Sequence, residues 1–322
     1  MAPVQIGDRL DHYSIDTLVA NSGMASIFRG TDLRTGRPVA IKIPHPEVES
    51  DPVFFDRFRR EEEIGRTLDH PGVMKVLPAE DRSQLYMVME WVDGRLLRQI
   101  LNERGKLPSE RAVRIALHIC EVLEYIHSQG IVHRDLKPDN IMVDDRDGVK
   151  LIDFGIAAKS GSRRLTFTKL SQVMGTAEYI SPEQVKGKRG DARSDLYALG
   201  IMLYEMLTGK TPFSGDNPFQ TMNDRMFNNP VPPREIDPSI SPQLQEILYR
   251  ALERDPKKRY ASAREFAWDL EHQDRVGVAD RAELRDWKRR RKPWARKVLF
   301  YAMLALIPVV IFGLLLLVAH HP

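Results

Sequence analysis

The sequence predicts an α+β protein of bilobal build, with one transmembrane helix behind the two lobes. Three observations carry this. Short apolar runs broken by turn residues fill residues 13–43 and return at 73–91, the mark of a small β-rich lobe. Helical periodicity dominates from Leu96 to residue 272, a larger α-helical lobe. Residues 298–322 contain no Asp, Glu, Lys or Arg.

Composition bounds the answer. The chain has 322 residues, 42% apolar and 29% charged, which excludes a disordered tail, a collagen-like fibre and a multi-span membrane protein. A single cysteine excludes a disulfide scaffold and a cysteine-rich metal site.

Residues 1–12 form an N-terminal extension. It has no apolar core of a signal peptide, and Ala2 stands where N-myristoylation needs glycine. In the first lobe, 13–92, segments 13–19, 25–28 and 39–43 read as strands, with Thr35-Gly36 as a turn. Residues 53–68 set Phe54, Phe58, Ile64 and Leu68 among charges, an amphipathic helix that His70-Pro71-Gly72 ends. Segments 73–77 and 85–91 read as two more strands, and the character changes near Val92-Asp93-Gly94. The second lobe, 93–273, shows helical patterns at 96–104, 109–129, 194–208, 241–253 and 263–272. Cys120 lies on an apolar helix and reads as core. His12, His45 and His118 have no partners at metal-ligand spacing.

The net charge of +3 conceals a division along the chain. Within the linker 274–297, residues 281–297 hold nine basic and two acidic residues, net +7, which leaves −4 on residues 1–280. The run 298–319 reaches roughly 33 Å at about 1.5 Å per residue, enough for a bilayer core of about 30 Å. Pro308 is tolerable in such a span, and Trp287, Trp294 and Tyr301 sit where interfacial aromatics are expected. A buried C-terminal core helix is the competing reading, and the basic block in front of an uncharged run argues against it. The positive-inside rule places residues 1–297 in the cytoplasm and leaves 320–322 outside. The basic block reads first as a topology signal and second as a contact for anionic headgroups. No nucleic-acid partner is expected.

The motifs lie where the lobes meet. Residues 131–143 read IVHRDLKPDNIMV, and LIDFG follows at 151–155. Asp135, Lys137, Asn140 and Asp153 fall within nineteen residues. Phosphoryl transfer needs a carboxylate to orient the attacking hydroxyl, a cation for the phosphate oxygens and oxygen ligands for Mg²⁺. This grouping resembles the catalytic and metal-binding segments of eukaryotic-like (Hanks-type) bacterial Ser/Thr protein kinases. Further elements of that family occur in order. VAIK at 39–42 puts Lys42 on a strand, and Glu61 follows nineteen residues later on the amphipathic helix. Glu62 and Glu63 are expected to point elsewhere, into solvent. YMVMEWVDG at 86–94 is similar to the last strand and hinge of the first lobe, GTAEYISPE at 175–183 to the end of an activation segment, and DARSDLYALG at 191–200 to a buried helix start. GMAS, HRDLKPDNIM and SPEQ are closest in character to membrane-anchored PASTA-type kinases, here without their extracellular sensor repeats.

The resemblance, over residues 10–272, implies a protein kinase fold, ATP and Mg²⁺ (Mn²⁺ as the alternative ion), and protein substrates. By it, Lys42, held by Glu61, contacts the phosphates, Asn140 and Asp153 hold the metal, Asp135 orients the acceptor hydroxyl and Lys137 steadies the transferred group. Thr176 faces the acceptor and supports Asp135. The backbone of Glu90 and Val92 pairs with adenine, Met89 is the gatekeeper, Met142 packs under the ring, and Ala40 and Ile27 cover its other face. Asp195 anchors the catalytic-loop backbone, and Glu183 pairs with Arg259. Arg134 reads phosphate on the activation loop, where Thr168 is the first candidate, Thr166 the second and Ser171 a third.

One departure stands out. The phosphate-covering loop, Val19, Ala20, Asn21, Ser22, Gly23, Met24 and Ala25, has Ala20, Ser22 and Ala25 where the family has glycine. Side chains there limit close approach to phosphate, but small ones limit the cost, so weakened but not abolished ATP binding is expected. The functional expectation is a cytoplasmic kinase body on the bacterial plasma (inner) membrane, with homodimerisation left open. The alternatives are a pseudokinase scaffold, supported by the glycine-poor loop alone, and a small-molecule kinase, against which Thr176, the SPE element and Arg259 argue.

Overall fold

A computed structural model describes residues 4–46, 51–79, 81–154, 158–159 and 178–279, the side chains of 53, 158 and 159 excepted. A six-stranded sheet, order β1-β2-β3-β4-β6-β5, comes first. Its strands are β1 (Arg9–Leu10), β2 (Tyr13–Asn21), β3 (Ala25–Asp32), β4 (Pro38–Pro44), β5 (Val76–Leu77) and β6 (Met87–Glu90), paired antiparallel throughout. Alternation along β4 decides where its residues go. Val39, Ile41 and Ile43 face one core with Ile15, Phe28 and Val88. Ala40 faces the other, with Phe58, Met74, Val76 and Met89. Lys42 shares the side of Ala40, the side that helix α1 (Pro52–Thr67) covers through Phe58.

Helix α1 also reaches the second lobe, where Ile64 and Leu68 join its core. Two expectations are corrected here. Glu62 is buried, not solvated: it accepts from Arg66 Nη2 at 2.8 Å and pairs with Arg82 Nη1 at 3.0 Å. The segment 81–86 folds back under the helix and supplies that second arginine. Segment 73–77 is not one strand: only Val76–Leu77 joins the sheet, and Val73 bridges to Leu151 of the second lobe.

The second lobe is built around α5 (Ala192–Thr208), in which every residue from Ser194 to Thr208 is buried. A helix apolar on all sides needs neighbours on all sides. They are α3 (Ser109–Ser128), α7 (Pro242–Ala251) and α8 (Ala263–Glu271), with α2 (Leu97–Arg104) before them. A Cβ on Gly200 would stand 2.8 Å from Ala251 Cβ, so glycine lets α5 and α7 approach. Cys120 on α3 is core, and burial raises its thiol pKa. Short strands β7 (Arg95–Leu96), β9 (Ile141–Val143) and β10 (Val149–Leu151) form one small sheet, and β8 (Ile131–Val132) pairs with β11 (Ala158–Lys159). Helices α4 (Pro182–Val185) and α6 (Pro218–Phe227) were not expected from the sequence. In α6, Phe219 and Phe227 are 79% and 73% exposed, so its apolar residues do not trace a core-facing stripe. Among the described residues no helix is long and apolar enough to cross a membrane. The run 298–319, the basic residues 281–297, and Thr166, Thr168, Ser171 and Thr176 lie outside them.

Candidate active site

Three elements meet between the lobes. From β4, Lys42 Nζ donates to both oxygens of Glu61 on α1, at 2.7 and 2.9 Å. Asp153 Oδ1 lies 4.0 Å from the same nitrogen. Burial alone would lower the Lys42 pKa, but the carboxylates of Glu61 and Asp153 outweigh it and hold the ammonium above its ordinary range.

The loop between β8 and β9 carries the next group. Lys137 Nζ donates to Asp135 Oδ2 at 2.8 Å, and Asn140 Nδ2 to the Asp135 carbonyl at 2.8 Å. Burial raises the Asp135 carboxyl above its ordinary range, against the pull of Lys137. The loop holds its shape through a buried carboxylate. Asp195, in the first turn of α5, accepts from the backbone N–H of His133 at 2.9 Å and of Arg134 at 2.8 Å. His127 Nε2 sits 2.8 Å from it too. Burial would raise the Asp195 pKa, but these partners hold it below the usual carboxylate value. Arg134 adopts φ 68°, a left-handed conformation that a side chain disfavours. Asp195 on its N–H and Gln184 Nε2 on its carbonyl, at 3.0 Å, brace it from both sides. His133 Nε2 reaches the Asp153 carbonyl at 2.5 Å, so the two loops are tied together.

The remaining expected residues take up positions around this centre. Met89 on β6 pairs in register with Ala40 on β4, and Met87 with Lys42. Glu90 is held by its side chain: Oε1 accepts from Lys75 N at 2.7 Å and Lys150 Nζ at 2.6 Å. Val92, two residues on, is partly buried and packs against the core of Ala40, Phe58 and Met89. Met142 lies on β9, and Ile27 is opposite Lys42 on β3. The β2–β3 turn closes on Ser22, whose Oγ donates to the Ala25 carbonyl at 2.9 Å and accepts from Ala25 N at 3.1 Å and Met24 N at 3.3 Å. Ser26 Oγ donates to Asn21 Oδ1 at 3.1 Å. The hydroxyl at the middle of the loop thus replaces conformational freedom with a local hydrogen-bonded turn. Gly23 has open space around it, Met24 and Val19 are exposed, and Ala20 pairs with Ile27.

Outside the cleft, Arg259 Nη1 and Nη2 clasp Glu183 at 2.8 and 2.7 Å in a buried bidentate pair, and Ser194 Oγ adds 2.7 Å. Burial opposes the Glu183 charge, but Arg259 outweighs it and depresses the carboxyl pKa. Arg225 is fully buried and donates to the carbonyls of Ile180, at 2.6 Å, and Glu178, at 2.5 Å. Sequence reasoning missed His127, Gln184 and Arg225. Each acts on backbone or a carboxylate distant in sequence, and no local pattern marks such a contact.

This is the two-lobed kinase fold, with Lys42, Glu61, Asp135, Asn140 and Asp153 gathered between the lobes. Residues 13–269 match the protein kinase domain family, and the chain belongs to that family. It is 41% identical over 274 residues to a probable serine/threonine-protein kinase of Streptomyces coelicolor, covering 84% of this chain and 40% of the relative. It is 38% identical over 265 residues to the serine/threonine-protein kinase PknB of Mycolicibacterium smegmatis, covering 81% of this chain and 42% of that protein. The chain thus spans about two-fifths of the length of these relatives. Among solved structures, the Mycobacterium tuberculosis PknI kinase domain (C20A mutant) matches with a TM-score of 0.65 and 26% identity, over 85% of this chain and 100% of that one.

Proposed function

We propose that the protein is a membrane-tethered serine/threonine kinase that transfers the γ-phosphoryl group of ATP to Ser or Thr hydroxyls of other proteins. The observation that carries this reading is the bidentate Lys42–Glu61 pair set beside Asp153, Asp135 and Asn140. A scaffold that had given up catalysis would have no need of all five.

The residues fit a hard divalent cation. Asn140 spends its amide N–H on the Asp135 carbonyl, and among the described residues no hydrogen bond occupies its Oδ1. The Asp153 side chain is 41% exposed. Both supply oxygen, the donor Mg²⁺ takes, with Mn²⁺ as a close alternative. A bound ion there neutralises charge developing on the transferred group. The chain's own residues do the rest. Lys42 grips phosphate oxygens and is kept from swinging by Glu61. Asp135 accepts the hydrogen bond of the acceptor hydroxyl and takes its proton as the O–P bond forms. Lys137, hydrogen-bonded to Asp135, sets its side-chain nitrogen beside the transferred group. Position and fixed charge account for most of the rate.

Three finer features belong to the same proposal. The run 298–319 anchors the protein in the bacterial plasma membrane with residues 1–297 in the cytoplasm, on the strength of the uncharged span and its basic neighbour. Thr168, with Thr166 second and Ser171 third, receives phosphate by autophosphorylation, and Arg134 reads it; Thr176 lines the acceptor side. Homodimerisation in the membrane plane favours that step, because tethering raises the effective concentration. Phosphoamino-acid analysis after incubation with radiolabelled ATP tests the specificity: label in phosphoserine or phosphothreonine supports it, and label confined to phosphotyrosine rejects it.

A further inference from the structure

A groove of about 680 Å³ opens between the 186–191 loop, Met226 at the end of α6 and the turn at 254–256. Its charges are unequally committed. Glu183 is clasped by Arg259. Asp191 caps α5 by accepting from Arg193 N at 2.9 Å. Asp255 accepts from Lys257 N at 3.0 Å. Every acid in the groove is thus spent on the fold. The cations are not. Lys186 and Lys188 are exposed, and neither ammonium forms an ion pair among the described residues. Arg254 donates to the Asn228 carbonyl at 2.8 Å and likewise forms no ion pair among them. The loop sequence KGKRGDAR, residues 186–193, holds four basic residues and one acidic one on a body whose net charge is −4.

The groove also stands next to the chemistry. Gln184 holds the Arg134 carbonyl, Arg134 precedes Asp135, and Lys186 is only two residues beyond Gln184, about 7 Å of chain at most. After burial, the positive charge of Arg189 from this same loop is the next cause that lowers the Arg134 pKa. An extended peptide advances roughly 3.3 Å per residue, so a segment a few residues from an acceptor at Asp135 reaches the groove.

We propose that this groove selects protein substrates by binding carboxylate side chains a few residues away from the acceptor Ser or Thr. The inference rests on the kinase reading above and names a substrate class for it. Lys186 and Lys188 make the ion pairs, Arg254 supplies a third cation, and Met226 gives an apolar floor. The pairs are surface pairs, so they act on encounter and selectivity and weaken with salt.

The test uses the full chain and three threonine peptides, flanked by glutamates, by glutamines or by lysines. Binding is read by fluorescence anisotropy, and phosphate transfer is read separately, so that an inactive enzyme and a wrongly assigned groove give different results. The expected result is salt-sensitive preference for the glutamate peptide. The double variant Lys186→Glu with Lys188→Glu should weaken glutamate-peptide binding about tenfold, leave the glutamine peptide unchanged and improve the lysine peptide. Binding of the glutamate peptide that the double reversal leaves unchanged, or equal losses on all three peptides, overturns the proposal. Loss of transfer with unchanged charge selection in binding would instead overturn the kinase reading and support the groove.

Discussion

At the scale of residues, the proposed transfer turns on Asp135. Its side chain sits on Lys137 and its carbonyl on Asn140, so Asp135→Asn keeps the shape and loses the proton acceptor. Transfer should fall by about 10²–10⁴-fold, with nucleotide affinity retained, as kinetics and a nucleotide-binding titration would show. Burial disfavours the charged form of Asp135, so the same variant should unfold no earlier than the parent in a thermal melt. The sign of the pH effect follows from the same cause. The carboxyl must be ionised to act and its pKa is raised, so the acid limb of kcat/KM should lie above 3.8, the ordinary value. Ser22 offers a second check. Ser22→Ala removes the three side-chain hydrogen bonds of the β2–β3 turn and should raise the KM for ATP a few-fold, with little change in kcat. The meeting of Lys42 with Glu61, and the placing of Asp135, Asn140 and Asp153 near them, was legible in the sequence because the family resemblance ties residue type to spacing. His127 and Gln184 were not legible, because both support the loop from far along the chain. Glu62 misled because Arg82, the second of its two arginine partners, comes from a turn outside the helix.

At the scale of elements, the buried pair of Glu183 and Arg259 joins α4 to the turn after α7. The Arg259 side chain is 0% exposed. Arg259→Ala leaves a carboxylate buried with no opposite charge and should cost about 3–5 kcal/mol, measured by urea denaturation. The Glu183 pKa is depressed in the fold, so this pair stabilises fully above the unfolded value and is lost as pH falls below 4.5 through the folded pKa. Acid unfolding of the parent should show that loss, and an Arg259→Ala variant should show less of it. The long amphipathic and fully buried helices, α1, α3 and α5, were readable from periodicity. Helix α6 was not, because its phenylalanines face outward. Segment 73–77 looked like a strand because it is apolar, yet its residues divide between two lobes.

At the scale of the whole molecule, the proposed function needs two lobes held in register and, on the proposed anchoring, a membrane surface. Helix α1 joins both cores, through Ile64 and Phe58, and carries Glu61 to Lys42 between them. Truncation after residue 297 should release the protein from the membrane fraction while transfer to a soluble peptide continues, as fractionation and assay would show. The measurement that tests the account most directly is transfer from radiolabelled ATP with Mg²⁺ to a threonine peptide, comparing the protein with its Asp135→Asn variant. The account predicts steady incorporation that needs both Mg²⁺ and Asp135. Incorporation no greater than that of the variant, with ATP still bound, would contradict it and favour a scaffold.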